Sequence, residues 1–446
     1  MTGAMTPPRG MTEPNPRGMT EPSPRGMTAT QKIIARAAGL PRVEAGDYVT
    51  VTPDATVSME LNWPVQMADM ARTGITRLPR PDKAVIVVDH TTTASMGSAH
   101  HVSHKRMREF CAEQGITQFF GPGNGLRHHL LVEKGIARPG SFVFGDEQNI
   151  ASIGAFGALC IPISREVLVP LLTDENWVQV PMGARFTLTG ALPFGVSGRD
   201  LAQVIIRDFG TGDRLLQCSV EFEGPGVAAL SLDDRQAILA TLYHAGADTG
   251  LMALDQAALD FVRARAAGRP WEAVTADPDA DYVVDITYDL SALRPMVTVP
   301  PEVHGGVEVT AVAGRRVTQA TIGSCAGGRM EDMRAVAAVL RGRQLADGVT
   351  MYITPGSREV YAEAGREGLL TIFAEAGAAV LAPGCTTCWG YQGQIADGEV
   401  LITSNQFNYT GRNGSRLSEI YIAGPYAVAA AAVAGRIIDP RELLTP

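Results

Sequence analysis

The sequence predicts an α/β protein built from more than one domain. A continuous apolar run at residues 83–88 has the length and character of a strand buried on both faces. A helical pattern over residues 101–114 and a short strand at residues 118–120 follow it, and such alternation favours a largely parallel sheet. The chain also has 446 residues, of which 45% are hydrophobic, so it can bury a large core and is too long for one domain.

The first domain is predicted over residues 28–182. Its first helix is expected to end at Gly39, because apolar side chains recur at helical spacing up to that glycine. A β-branched strand is expected at residues 48–52. Asp89 and His90 directly follow the buried strand, and the carboxyl end of a parallel strand is where α/β proteins usually build their sites.

The second domain is predicted over residues 183–288, since the pattern changes around Pro181. A strand is expected at residues 184–190, followed by a helix that begins with a capping segment at residues 197–200 and continues through Arg207.

The third domain is predicted over residues 289–446. Two apolar runs, at residues 349–354 and 379–382, indicate buried strands. The apolar stretch at residues 423–435 is too short to span a membrane and is expected to form a buried Ala-rich helix.

Residues 1–27 form a Pro- and Gly-rich repeat, for which we expect disorder because this composition cannot form a helix or a packed strand. The repeat lacks the apolar segment of a secretory signal. The net charge of −9 argues against nucleic acid or an anionic membrane surface as the main partner. Six cysteines are few for this length and are not spaced as a secreted disulfide framework, so a cytoplasmic location is expected.

Three cysteines are candidates for chemistry. Cys385 and Cys388 form a C-x-x-C pair in a Gly-containing turn, and Cys325 follows Gly323-Ser324. Such a pair can bind zinc, bind an iron–sulfur cluster or form a redox disulfide, and it is also compatible with ordinary thiols. Structural zinc takes four protein ligands, whereas three thiolates leave one metal position open for substrate.

Four segments together resemble the aconitase superfamily. Residues 323–334 resemble its G-S-C-T-N-G-R-x-E-D-x-R segment, and residues 383–388 resemble its P-G-C-x-x-C segment. Residues 408–412 resemble its N-F-x-G-R segment, and residues 423–432 resemble its S-P-x-x-A-A-A-A segment. The order and approximate spacing agree over residues 27–446, and the resemblance is strongest to the large subunits of 3-isopropylmalate dehydratase and homoaconitase.

This resemblance implies a fold of three aconitase-like α/β/α domains around a central iron–sulfur site, without a swivel domain. It implies that Cys325, Cys385 and Cys388 hold a [4Fe–4S] cluster. It also implies a separate small subunit that supplies the swivel domain, and a small-molecule carboxylate as substrate.

The resemblance carries over to several polar residues. Asp89, His90, His128 and Glu221 match catalytic positions of the family, and Arg412 matches a substrate-binding arginine.

Other positions depart from the family pattern. Glu147 stands where the family has a catalytic Asp, and Asn149 stands where it has a His, so Glu147 is a candidate to take over proton chemistry that Asn149 cannot perform. Gln406 and Phe407 replace an Asn and a substrate-binding Arg. Phe removes a carboxylate contact and adds apolar surface, so the substrate is expected to carry one carboxylate fewer and more apolar bulk.

These observations predict the large subunit of a hydro-lyase or isomerase of the aconitase type, acting on a substituted malate or maleate. One alternative is a non-catalytic protein that keeps the cluster for sensing or assembly. Another is a cis–trans isomerase of an unsaturated dicarboxylate on the same scaffold. The substrate-binding candidates Asn149, Gln406, Phe407 and Arg412 are therefore expected to lie close to the three thiols.

Overall fold

The computed structural model describes residues 25–93 and 97–444. Its three larger sheets are packed with helices, which confirms the α/β class. Elements of the first region are α1 (Ala29–Ala38), β1 (Tyr48–Val51), β2 (Ala55–Met59), α2 (Trp63–Thr73), β3 (Ala84–Val87), α3 (Ser98–Gln114), β4 (Gln118–Phe120), α4 (Arg127–Glu133), β5 (Phe142–Gly145), β6 (Leu159–Pro162), α5 (Leu168–Thr173) and β7 (Asn176–Gln179).

The first sheet is fully parallel, with the strand order β4-β3-β2-β5-β6. All four residues of β3 are buried, as expected for a strand covered on both faces. Helix α1 ends at Gly39, whose positive φ of 65° confirms the predicted stop. The predicted strand at residues 48–52 forms as β1, but it pairs only with β7, in a separate antiparallel ribbon.

The second region carries a parallel four-stranded sheet with the order β10-β9-β8-β11. Its elements are β8 (Met182–Thr189), α6 (Gly198–Phe209), β9 (Cys218–Glu223), α7 (Pro225–Ala229), α8 (Leu232–Leu239), β10 (Thr249–Met252), α9 (Gln256–Arg265) and β11 (Val284–Asp289).

The third region carries a mixed seven-stranded sheet with the order β13-β12-β18-β17-β14-β15-β16. Its elements are β12 (Met296–Thr298), β13 (Gly306–Glu308), β14 (Gln319–Ile322), α10 (Met330–Leu340), β15 (Thr350–Ile353), α11 (Arg358–Arg366), α12 (Leu369–Ala376), β16 (Ala379–Val380), α13 (Thr386–Trp389), β17 (Val400–Thr403), β18 (Glu419–Ala423) and α14 (Pro425–Ala434). Strand β12 runs antiparallel to both of its neighbours. The predicted Ala-rich helix forms as α14 and is largely buried.

The first two sheets share one continuous hydrophobic core, whereas the third has a core of its own. A 3₁₀ segment, Gln148–Phe156, joins the first sheet to the second. A Cβ on Gly154 would lie 2.0 Å from the carbonyl oxygen of Gly250, so this approach of two backbones requires glycine. The first two predicted domains are therefore packed as one body, and the boundaries at 182/183 and 288/289 stay predictions.

The predicted disordered tail differs from the structure at its end. Residues 1–24 lie outside the described residues, but residues 25–27 pack on the body of the protein. Arg25 forms an ion pair with Asp281, and the backbone N–H of Met27 donates to Asp277 Oδ2 at 2.8 Å. Acidic side chains of the segment that precedes β11 thus hold the residues just before α1.

The last strand of the seven-stranded sheet differs from the sequence prediction. The run at residues 379–382 was expected to be a buried strand, but β16 is a two-residue edge strand whose residues are exposed or half-buried.

Among the helices of the described residues, none combines the length and the apolarity needed to cross a bilayer.

Candidate active site

Two turns of the seven-stranded sheet bring the three candidate thiols together. Cys325 follows β14. Cys385 directly precedes α13, and Cys388 lies within that helix. Cys325 and Cys385 pack in one small cluster with Leu126 and Ala240. Cys385 and Cys388 lie in one turn, where the backbone N–H of Cys388 donates to the carbonyl oxygen of Cys385 at 2.9 Å. The predicted set of three thiols is therefore assembled by the fold.

Both cysteine-bearing turns require an uncommon backbone. Gly323 has a φ of 150° and Gly384 has a φ of 154°, which side chains disfavour. A Cβ on Gly323 would lie 2.9 Å from the Cβ of Thr354, and one on Gly384 would lie 2.9 Å from the carbonyl oxygen of Asp89. These glycines allow each turn to approach its neighbour closely and so place the thiols at a common point.

Gln406 lies directly beside the thiols. It follows β17, and its side-chain Nε2 donates to Cys325 Sγ at 2.9 Å. The same Nε2 lies 3.4 Å from the carbonyl oxygen of Ala240, which also accepts a hydrogen bond from Asn149 Nδ2 at 2.8 Å. Two of the predicted substrate-site residues are thus adjacent to each other and to Cys325.

The thiols titrate in different directions. Burial raises the pKa of Cys325 above its ordinary value. The adjacent thiol of Cys385 lowers the pKa of Cys388 to about 6, with Arg412 adding to the effect, whereas the adjacent Cys388 raises the pKa of Cys385. The C-x-x-C pair therefore favours one thiolate that shares the remaining proton. Binding metal to all three thiolates would release protons.

His90 is held beside this site by a buried network. Its Nδ1 lies 2.7 Å from Asp89 Oδ1. The ring packs edge-on against Trp389 at a centroid distance of 4.9 Å. Burial opposes a charge on this imidazole, but the carboxylate of Asp89 raises the pKa of His90 to about 9. His90 is therefore protonated at neutral pH and can donate a proton.

Glu60 shapes the loop that carries this pair. Its carboxylate accepts hydrogen bonds from the backbone N–H groups of Asp89, His90 and Thr91 at 3.2, 2.7 and 2.6 Å. Ligand atoms of Glu60, Asp89 and His90 all lie within 4.8 Å of one another, as in some metal sites. Because backbone donors already engage the Glu60 carboxylate, we interpret the group as a hydrogen-bonded scaffold for His90.

Arg127, which the sequence analysis did not single out, binds three carboxylates. Its Nη1 donates to both oxygens of Asp89 at 2.7 and 2.8 Å, and its Nε lies 3.1 Å from Asp146 Oδ1. Its Nη2 pairs with Glu147. Arg127 is fully buried and Glu147 is 26% exposed, so the network leads from the core to the opening of the site. Burial raises the pKa of Asp146 to about 6.

His128 is buried one residue further along α4. Neither ring nitrogen has a hydrogen-bond partner among the described residues. Burial and the neighbouring Arg127 hold the pKa of His128 well below its ordinary value, so the ring is neutral. Both ring nitrogens are thus free to make a hydrogen bond, which is compatible with the catalytic role predicted for His128.

An aromatic wall closes one side of the site. Phe407 is half-buried and packs edge-on against His244 at 5.2 Å between ring centroids. The guanidinium carbon of Arg412 lies 4.7 Å from the Phe407 ring centroid. Arg412 also donates from Nε to the carbonyl oxygen of Cys388 at 3.0 Å and from Nη1 to the hydroxyl of Tyr409 at 2.8 Å. Both residues therefore lie next to the thiols, as predicted.

Glu221, which was also predicted to be catalytic, makes its hydrogen bonds to α1 and to the segment before β11, and its catalytic role stays a prediction. Its carboxylate accepts hydrogen bonds from the backbone N–H groups of Ala29 and Thr30 at 3.2 and 2.8 Å and from the hydroxyl of Tyr282 at 2.9 Å. These donors belong to the first turn of α1 and to the segment before β11. Glu221 therefore fixes the N-terminus of a helix, which is a structural role.

Arg199 is a second residue that the sequence analysis used only as part of a helix cap. It lies in the first turn of α6, and its Nη2 donates to the carbonyl oxygen of Asn405 at 2.9 Å. The Ser-Gly-Arg-Asp segment gave no signal for a site, because a capping segment often carries charged residues for local reasons. Arg127 could have been found from its position directly before His128.

The donor set fits a cubane iron–sulfur cluster. The other three cysteines are buried in other parts of the fold: Cys111 on α3, Cys160 on β6 and Cys218 on β9. Three soft thiolate ligands with an adjacent opening at Glu147 and Phe407 match a group bound at three corners. Several buried polar atoms next to the thiols lack partners among the described residues, as expected where a ligand is meant to bind.

Comparison with known proteins agrees with this geometry. The model of the Aconitase family (aconitate hydratase) matches residues 31–316 and 310–435. The 3-isopropylmalate dehydratase large subunit of Acetivibrio thermocellus is 38% identical over 418 residues, covering 93% of this chain and 99% of the relative. The 3-isopropylmalate dehydratase large subunit 1 of Methanopyrus kandleri is 36% identical with the same coverage.

Among solved structures, the crystal structure of Thermococcus kodakaraensis aconitase X in its holo form aligns with a TM-score of 0.48 and 11% identity. The alignment covers 85% of this chain and 89% of that chain. The family model and the two relatives span nearly the whole chain, and the residues that the family model matches include Cys325, Cys385 and Cys388. On these grounds, the chain belongs to the aconitase family.

Proposed function

We propose that this protein is the large, cluster-bearing subunit of an aconitase-type hydro-lyase whose substrate is a hydroxy dicarboxylate with an apolar substituent. The observation that carries the proposal is the convergence of Cys325, Cys385 and Cys388 with His90 and Phe407 in one site. The hydro-lyase class is that of the relatives, which are named dehydratases. The substrate class rests on the residues that differ from the family pattern.

The three thiolates would hold a [4Fe–4S] cluster, and Gln406 would hydrogen-bond to the sulfur of one of them. When bound, the cluster would supply a Lewis acid that polarises the hydroxyl to be removed. His90 is positioned to donate a proton at this hydroxyl, since Asp89 keeps the ring charged and engages Nδ1, which leaves Nε2 for the substrate. The adjacent glycine turns keep these groups in fixed positions.

Glu147 is the candidate for the opposite proton transfer. Its carboxylate is partly exposed at the opening and pairs with Arg127, which fixes its direction. Asn149 cannot take this role, since its amide does not titrate and its Nδ2 is bound to the carbonyl oxygen of Ala240. Neutral His128 can hydrogen-bond a substrate oxygen without carrying charge.

The apolar substituent is assigned to the wall at Phe407. A ring there presents no donor for a carboxylate, and leaving a buried carboxylate unpaired would cost several kcal/mol, so a tricarboxylate is disfavoured. An alkyl or aryl group against the same ring would gain about 25 cal/mol per Å² of apolar area removed from water. A separate small subunit is proposed to cover the opening, since the relatives are named large subunits.

The test is activity of the anaerobically reconstituted protein together with its small subunit on a panel of substrates. Substituted malates such as 3-isopropylmalate and substituted maleates should be turned over, and citrate and isocitrate should be poor substrates. Efficient turnover of citrate would overturn the specificity. A fully loaded protein that turns over none of the panel would favour the non-catalytic alternative, for which Asn149, bound to Ala240, is the supporting observation.

A further inference from the structure

Arg199 lies in the first turn of α6, which is held by hydrogen bonds of its neighbour Asp200. It is the second residue of α6, and the preceding turn is held by Asp200. Asp200 Oδ2 accepts hydrogen bonds from the backbone N–H and the hydroxyl of Ser197 at 2.8 and 2.9 Å, and its Oδ1 accepts from the backbone N–H of Met296 at 2.7 Å. Both carboxylate oxygens of Asp200, the residue next to Arg199 in sequence, therefore already accept hydrogen bonds from other groups.

The guanidinium of Arg199 is buried and incompletely paired. The residue is 2% exposed, and Nη2 donates to the carbonyl oxygen of Asn405 at 2.9 Å. Its Nε and Nη1 have no hydrogen-bond partner among the described residues. Leaving charged donors buried without acceptors is costly, so a buried arginine of this kind is expected to meet an anion.

The surroundings of Arg199 are those of the thiol site. The guanidinium is within electrostatic reach of Cys325 and Cys388. The carboxamide of Asn405 is buried, and both of its polar atoms lack partners among the described residues. His244, whose Nε2 is likewise unpartnered, packs against Phe407. These open donors and acceptors are grouped around the thiols.

Two other arginines next to the thiols are already engaged. Arg127 is shared by the carboxylates of Asp89, Asp146 and Glu147. Arg412 donates to the carbonyl oxygen of Cys388 and to the hydroxyl of Tyr409 and lies against aromatic rings. Arg329, four residues after Cys325, also has unpartnered guanidinium donors, but it lines a separate cavity with Asp233 and lies within electrostatic reach of the carboxylates of Asp332 and Asp233. Arg199 has free guanidinium donors beside the thiols and no carboxylate partner in the described chain.

We infer that Arg199 binds a carboxylate of the substrate and so determines that the substrate is a dicarboxylate; this inference rests on the proposed function. Nη2 carries two hydrogens, and only one of them donates to the carbonyl oxygen of Asn405. The other hydrogen, together with that of Nε or of Nη1, forms a guanidinium edge that can hold a carboxylate through two N–H···O bonds. Arg199 thus supplies a cation where Phe407 has none, but from helix α6 and at a different position in the site.

The test compares wild type with Arg199→Lys, Arg199→Gln and the control Arg207→Gln. Arg207 lies on the same helix, is exposed and pairs with Asp208. Each protein is reconstituted anaerobically, its iron per chain is measured, and the complex with the small subunit is titrated calorimetrically with 3-isopropylmalate and with both of its monoamides. Wild type should bind the diacid about 30-fold more tightly than the monoamide whose missing charge faces Arg199.

Arg199→Gln should reduce that preference to about threefold or less with iron content unchanged. Arg199→Lys should lie between, because an ammonium keeps the charge without the planar fork. Arg207→Gln should behave as wild type. Arg199→Lys also provides the measurement if Arg199→Gln does not fold.

The outcomes separate the inference from the proposed function. An unchanged preference in Arg199→Gln at full iron content overturns the inference and leaves the hydro-lyase proposal standing. Loss of iron in both Arg199 variants assigns the arginine to the cluster and also overturns the inference. If wild type binds the diacid without turnover and Arg199→Gln loses the preference, the inference stands and the hydro-lyase proposal fails. If loaded wild type binds neither ligand, both fail.

Discussion

The side chain of Gln406 donates a hydrogen bond to Cys325 Sγ at 2.9 Å. This contact joins the loops after β17 and β14, which are neighbouring strands of the seven-stranded sheet. The backbone N–H of Gln406 also helps lower the pKa of Cys388, after the larger effect of Cys385. One residue thus organises two of the three candidate ligands.

Replacing any one of Cys325, Cys385 and Cys388 by Ser should abolish the cluster, because three corners need three thiolates. Wild type should contain about four irons per chain after anaerobic reconstitution and absorb broadly in the visible range. Cys111→Ser is the matched control, since Cys111 is buried on α3 in a separate apolar cluster. Stoichiometric zinc in the wild-type protein, or full iron loading of Cys325→Ser, would contradict the assignment.

Phe407→Arg should weaken binding of a substrate with an apolar substituent by about tenfold, since about 60 Å² of apolar contact at about 25 cal/mol per Å² is lost. The new arginine would also lie close to the guanidinium of Arg412, which is 4.7 Å from the present ring centroid. Phe407→Leu is the control, because it keeps the surface apolar. Steady-state KM for substituted malates and for citrate checks this. Equal KM values in wild type and Phe407→Arg would place the substituent elsewhere.

Glu221→Gln should destabilise the protein by about 1–2 kcal/mol and leave iron content and kcat unchanged. A neutral amide accepts hydrogen bonds from Ala29, Thr30 and Tyr282 less well than a carboxylate does. Glu223→Gln, at the exposed end of the same strand, is the control. Thermal unfolding and steady-state kinetics distinguish the two roles. A large fall in kcat with an unchanged unfolding temperature would instead support the catalytic role predicted for Glu221.

Glu133→Gln should stabilise the protein at pH 8 but not at pH 4.5. Burial raises the pKa of Glu133 to about 7, although its carboxylate accepts a hydrogen bond from Ser357. As the pH rises from 4.5 to 7, the unfolded chain releases this proton before the folded protein does, so Glu133 lowers the free energy of unfolding progressively. The glutamine variant avoids this loss and should gain about 1–3 kcal/mol at pH 8.

Urea unfolding at pH 4.5, 6 and 8 measures this difference. Glu363→Gln is the control, because Glu363 lines the same cavity of about 370 Å³ but is more exposed and pairs with Arg366. Its effect should stay within about 0.5 kcal/mol at every pH. A Glu133→Gln effect that does not vary with pH would show that the carboxyl is not protonated in the folded protein.

The sequence by itself determined the α/β class and several of the strands and helices, and the family resemblance of its motifs indicated the three thiols with Gln406, Phe407 and Arg412 beside them. These features are local: apolar periodicity, glycine before each cysteine-bearing turn, and short motifs whose residues are close together along the chain. The strand at residues 83–88 and the turns at Gly323 and Gly384 are examples, since each depends on its own side chains and backbone.

Only the tertiary structure decided the partners of the buried charges. Arg199 meets Asn405 across 206 positions of sequence, and Glu221 meets Thr30 across 191. Arg127 is shared among three carboxylates that arrive from two different strand ends. A charged residue has the same appearance in a sequence whether it caps a helix, neutralises a neighbour or waits for a ligand. The burial and the unpaired atoms that distinguish these roles exist only once distant segments have packed together.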